Sequence, residues 1–232
     1  MIFNYYYDSS YIIYMLITLG ISMYAHFKVQ NTFSKYSKIK TSRNITGMQS
    51  AQQVLSYNDI YDIPIKHIKG NLNDNFNPSQ NTIFLSDPVY SNNSVSAVGV
   101  AAHEAGHAVQ NAQGYTPIKI RQLLVPITQL GSNLAMPLVF IGLLLPVQYN
   151  FIVNLGIILF SLAVVFQIIT LPVEINASKR AVLSLQNANM LNEEELKGAK
   201  EVLKAAALTY VAAAFTAIIS LLRLILISRR RN

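Results

Sequence analysis

Four apolar stretches and two polar segments alternate along the chain. A bilayer-crossing helix needs about 20 mostly apolar residues. Ser10 to Phe27, Leu123 to Val147, Phe151 to Val173 and Ala205 to Ile227 meet that requirement. The second and third are separated by a few uncharged residues, so they are expected to form an antiparallel hairpin. Tyr5, Tyr6, Tyr7 and Tyr11 rim the first stretch, as tyrosines do at a membrane–water interface. No Lys or Arg precedes that stretch and no small-x-small site follows it, so it is expected to stay attached rather than be cleaved as a signal. Arg223, near the end of the fourth, is placed to snorkel to the headgroups.

The pattern divides the chain into five parts. Residues 1–27 are an N-terminal span. Residues 28–121 are a soluble α+β lobe, and 122–173 a transmembrane hairpin. Residues 174–204 are a polar insert, and 205–232 a last span with a basic tail. In the lobe, Thr46 is a helix cap with Met48, Ala51, Val54 and Leu55 on one face behind it. Ile63, Ile65 and His67 alternate as a short strand. Residues 71–80, rich in Asn, read as a loop. Thr82 to Leu85 is a second strand, stopped by Asp87-Pro88. A helix is predicted from Ser94, a capping residue, to Gln113, with Gly114 as its stop. The expected fold class is an α-helical multi-pass membrane protein with a small α+β lobe.

Composition sharpens this picture. Only 12% of the 232 residues are charged and 52% are apolar, against about 25% charged in ordinary soluble domains. With Cys 0 there is neither a thiolate metal site nor a Cys nucleophile. The net charge of +7 suits an anionic membrane surface. The basic residues form no stripe, so nucleic acid is not an expected partner. Of the 18 Lys and Arg, 14 fall within residues 28–121 and 174–204. The positive-inside rule therefore puts the lobe in the cytoplasm. Arg229, Arg230 and Arg231 oppose it, because a fourth full crossing leaves them outside.

The predicted helix carries His103-Glu104-Ala105-Gly106-His107. This is H-E-x-x-H, and its spacing has a physical meaning. Residues four apart share one helix face, so both imidazoles reach one zinc ion. Glu104 sits one step round, beside the ion without needing to bind it, and is placed as general base. A catalytic zinc site takes three protein ligands, and without Cys the third is His, Asp or Glu. His26 ends the first span and reads as a packing residue. His67 lies on a strand. Glu193, Glu194 and Glu195 read as a solvated first helical turn. Glu174 lies where the third apolar stretch ends, a place where a carboxylate is costly unless paired. It is either a ligand or the ion-pair partner of Lys179 or Arg180. His67, Arg180, Tyr210 and Asn133 remain candidates for stabilising an oxyanion.

The run from Val98 to Tyr115 resembles the bacterial neutral zinc metallopeptidases of the YugP type. So do the run from Leu171 to Ala181, Val125-Pro126, Gly131 to Leu134 and Ala205 to Ala214. The resemblance covers nearly the whole chain. It implies a multi-pass cell-membrane zinc peptidase acting on polypeptide at the lipid bilayer. A looser likeness extends to membrane-bound gluzincins of the HtpX kind, in which two spans separate H-E-x-x-H from a Glu ligand. That likeness implies His103, His107 and Glu174 as zinc ligands and Glu104 as the base acting on a zinc-activated water. In that pattern an Asp four residues after the Glu supports a zinc-binding His. Here Ser178 stands there, so support falls to Ser178, Asn176 or another residue. The strand from Asn81 to Ser86 occupies the place of the edge strand that pairs with substrate in those proteases, the alternative being an ordinary core strand. The competing function is a non-catalytic membrane scaffold or assembly factor with a structural or vestigial zinc site. No oligomeric state is specified.

Overall fold

A computed structural model describes residues 9–231, with side chains from residue 12 onward. Tyr5, Tyr6, Tyr7 and the Tyr11 side chain lie outside the described residues. The chain is mostly helical with one small sheet. In order it forms α1 (Ser9–Ser37), α2 (Gly47–Tyr57), β1 (Ile65–Ile68), β2 (Asn75–Asn77), β3 (Thr82–Ser86) and α3 (Asp87–Tyr90). Then come α4 (Val95–Ala112), α5 (Thr116–Leu144), a single 3-10 turn (Val147–Tyr149), α6 (Asn150–Asn187) and α7 (Glu193–Arg231).

Four helices, α1, α5, α6 and α7, are long and apolar enough to cross a membrane. They pack in a row: α1 on α7, α7 on α6, and α6 on α5. Small residues set the closeness of the α5–α6 hairpin. A Cβ on Gly156 would meet Ala135 O at 2.8 Å, and one on Gly142 would meet the Val153 backbone at 2.8 Å. At the turn of the hairpin the Arg231 guanidinium donates to the carbonyls of Gly142 and Leu145. It thereby satisfies acceptors left open where α5 ends. Ser228 donates to Asn154 at 2.8 Å in the same region. The α7 C-terminus thus lies at the hairpin turn, opposite the lobe, and α7 runs the full length of the row.

The change from apolar to polar sequence after Val173 does not end a helix. Pro172 is accommodated inside α6, which continues as a single helix to Asn187. Its extension carries Glu174, Asn176 and Ser178 into the lobe. The first turns of α7 do the same from the other direction. Of the acids opening α7, Glu193 and Glu194 are exposed, as a solvated turn requires, but Glu195 is not. Glu195 is buried and accepts from Ser42 N at 2.6 Å and Asn192 N at 3.0 Å, fastening the start of α7 to the loop after α1.

Within the lobe α4 is central. Ser94 caps it by accepting from Ala97 N, and Gln113 ends it just before Gly114 at φ +68°. Ala97, Ala101, Ala102, Ala105 and Ala108 are fully buried, which lets α2, α6 and α7 approach α4 closely. The capping box of α2 pairs Thr46 with Gln49. The sheet has the order β1-β3-β2, with β1 parallel and β2 antiparallel to β3.

Two expectations are corrected here. Residues 71–80 are not all loop, since β2 lies among them. The strand running to Ser86 is not an edge, because β3 is flanked on both sides and the sheet edge nearest α4 is β2.

Candidate metal centre

His103 and His107 lie one turn apart on α4, and Glu174 comes from the lobe extension of α6. Their ligand atoms all lie within 4.8 Å of one another. Glu174 Oε2 is 3.1 Å from His103 Nε2 and 3.4 Å from His107 Nε2. The approach of α4 to α6 that makes this possible depends on Gly106. A Cβ there would stand 2.5 Å from Ala177 O.

The other ring nitrogens are held as well. His103 Nδ1 is 3.1 Å from Ser178 Oγ, and His107 Nδ1 is 3.0 Å from Gln110 Oε1. Gln110 is fully buried, and its amide donates to Val173 O at 2.8 Å and Asn176 Oδ1 at 2.9 Å. With both donors used on oxygens, Gln110 turns its own oxygen to His107. Nδ1 must then carry the proton, which leaves the Nε2 lone pair facing Glu174. Two nitrogen lone pairs and a carboxylate oxygen converging on one small volume are a donor set that fits zinc. Changing Gln110 to Leu removes the hydrogen bond that fixes the His107 tautomer. Zinc affinity is expected to fall by about 10–100-fold with the fold retained, as read by competition with a chromophoric chelator.

Arg121 of α5 completes the pairing of Glu174, with Nη1 3.2 Å from Oε1. The carboxylate is 2% exposed, so the guanidinium offsets the cost of burying it. Neither Lys179 nor Arg180 is that partner. Arg180 instead donates to Asn176 Oδ1 at 2.7 Å and to Gln113 Oε1, and lies over the Tyr115 ring.

Glu104 stands apart from the ligand cluster and accepts from Phe76 N on β2 at 3.0 Å. Burial pushes its carboxyl up to about 7, against the lowering effect of His103. Asp74, just before β2, accepts from Ser86 N at 2.7 Å and Ser86 Oγ at 2.9 Å, which ties β2 to the end of β3. Glu104, His107 and Glu174 open onto a cavity of about 230 Å³. Asp74 to Phe76 and Pro78 form one wall. Ile118, Arg121, Gln122 and Val125 of α5 form another, and Tyr210 of α7 also lines it.

The remaining candidates lie elsewhere. His67 Nε2 is 2.7 Å from Asp87 on the exposed side of the sheet. His26 is exposed on α1 beside Phe27. Asn133 is exposed on α5, and Glu193 and Glu194 are exposed on α7. Gln110 and Arg121 carry no motif of their own. Gln110 had one local signal, a position three residues after His107 on the same helix.

A family model described as "Putative neutral zinc metallopeptidase" matches residues 11–229. Among curated proteins the chain is 43% identical over 217 residues to the "Putative membrane protease YugP" of Bacillus subtilis (strain 168). The match covers 94% of this chain and 96% of that protein. No solved structure matches. The chain belongs to this neutral zinc metallopeptidase family.

Proposed function

We propose that this member of the family is a membrane-spanning, zinc-dependent endopeptidase, with a zincin-like lobe that hydrolyses extended polypeptide at the bilayer surface. The observation that carries the reading is the convergence of His103, His107 and Glu174 with a second acid, Glu104, set beside them in a cavity. His103, His107 and Glu174 would hold the zinc, which when bound would supply Lewis acidity and a water nucleophile at neutral pH.

Glu104 takes the proton of the attacking water and passes it to the leaving amine. A carboxyl raised to about 7 is suited to both steps near neutral pH. A purely structural site has no use for that carboxylate, which disfavours the scaffold alternative. An extended substrate pairs with the open edge of β2, where Phe76 N already holds Glu104. Of the four candidates for stabilising the carbonyl oxygen, Tyr210 alone lines the cavity, and its hydroxyl is the donor. Zinc-loaded protein in proteoliposomes is expected to cleave an unfolded polypeptide such as casein. Chelation should stop the reaction and added zinc restore it. Zinc-loaded protein that leaves casein intact would reject the peptidase reading.

The lobe is cytoplasmic in this reading, and Arg229–Arg231 lie on the opposite side, because three crossings, α5, α6 and α7, separate them. The absence of native Cys makes the test simple. Cysteines placed singly at Ser79 and Arg229 are expected to label differently with an impermeant maleimide in intact cells. Position 229 should react and position 79 should not. Labelling at position 79 would invert the orientation.

A further inference from the structure

The α5 helix leaves the cavity carrying polar residues on a face that none of its own neighbours covers. Ile118, Gln122 and Val125 line the cavity. Gln129 and Asn133 follow Gln122 by seven and eleven residues, spacings that return to the same face of a helix. At 1.5 Å per residue they stand about 10 and 16 Å beyond Gln122 along the helix. The buried face of α5 is a different one, formed by Thr128, Gly131, Ala135, Val139 and Gly142 against α6.

Gln129 and Asn133 are exposed, and neither has a hydrogen-bond partner among the described residues. Carboxamides facing hydrocarbon are costly, and across membrane helices they are met by hydrogen bonds from another helix.

We propose that the α5 face bearing Gln122, Gln129 and Asn133 is a docking track for a membrane-spanning helix of the substrate. The proposal rests on the reading of the chain as a membrane-spanning peptidase. The occupant follows from continuity. The upper end of this face is a wall of the cavity, so a segment lying along it leads directly to Glu104 and the zinc ligands. A second copy of the chain on the same face would instead cover the cavity mouth. The carboxamides give the track a preference for a helix that brings polar groups of its own into the bilayer.

The test uses the full chain in proteoliposomes with two probes. Both are casein segments, one anchored by an Ala/Leu helix with a central Asn and the other by a lipid chain. With Glu104→Gln protein, a photoreactive benzophenone side chain at Met136, on the track face, should crosslink to the helix anchor. The same group at Leu134, exposed on another face, should not. With protein carrying the native Glu104, combining Gln129→Leu and Asn133→Leu should lower kcat/KM for the helix-anchored probe by about ten-fold. The lipid-anchored probe should be cut as before. Equal crosslinking at 136 and 134, adducts only to a second copy of the chain, or unchanged cleavage of both probes would overturn the proposal. If zinc-loaded wild type cuts neither probe, the peptidase reading fails, and the crosslinks alone decide the docking.

Discussion

Glu104→Gln protein is expected to bind zinc as wild type does and to lose peptidase activity by about 10²–10⁴-fold. The geometry separates the two properties. Glu104 is one residue off the face that His103 and His107 present to Glu174, and its Oε2 is engaged by Phe76 N at 3.0 Å. A glutamine oxygen accepts the same hydrogen bond, so β2 and the cavity wall keep their places. What disappears is the capacity to accept a proton from water and deliver it to the leaving amine. Zinc content and casein cleavage are measured on one preparation, with the thermal midpoint as a control for folding. Cleavage by Glu104→Gln at the wild-type rate would show that the base lies elsewhere. The scaffold alternative has a different signature, because zinc-loaded wild type itself would then be inactive.

What the sequence carried locally was legible, and what depends on distant packing was not. Hydropathy marks four apolar stretches because each is continuous along the chain; α1, α6 and α7 contain three of them, and α5 holds the other as far as Leu144. The α4 helix is legible from Ser94 and Gly114, since caps and stops act within a turn. The third apolar stretch ends at Val173 while its helix runs on, for a physical reason. Loss of hydrophobicity after Val173 signals departure from an apolar environment, whereas a helix ends only where its backbone must. That point is after Asn187, near Asn189 at φ 50°. Strand β2 escaped because Asn75 and Asn77 favour turns, and pairing with β3 outweighs that preference. Arg121 and Gln110 escaped because their roles arise across gaps of 53 and 63 residues, to Glu174 and Val173. No local pattern encodes those meetings.

Glu174→Ala is expected to lower zinc affinity by more than the roughly 10–100-fold typical of residues that only orient a ligand. Glu174 is the one acid that α6 brings to the two imidazoles, and its Oε2 lies within 3.4 Å of both Nε2 atoms. Alanine leaves two nitrogens and no third protein donor, where a catalytic zinc site typically has three. It also strips Arg121 of its carboxylate, so stability falls for a second, independent reason. The double variant Glu174→Ala with Arg121→Leu separates the two effects. Removing the unpaired guanidinium should recover much of the lost thermal stability and none of the zinc affinity. If the acid were present only to pair with Arg121, both variants would titrate zinc as wild type does. Wild-type zinc affinity in folded Glu174→Ala protein would therefore remove Glu174 from the ligand set. The contacts of Glu174 with His103 and His107 would then be those of a buried ion-pair cluster anchored on Arg121.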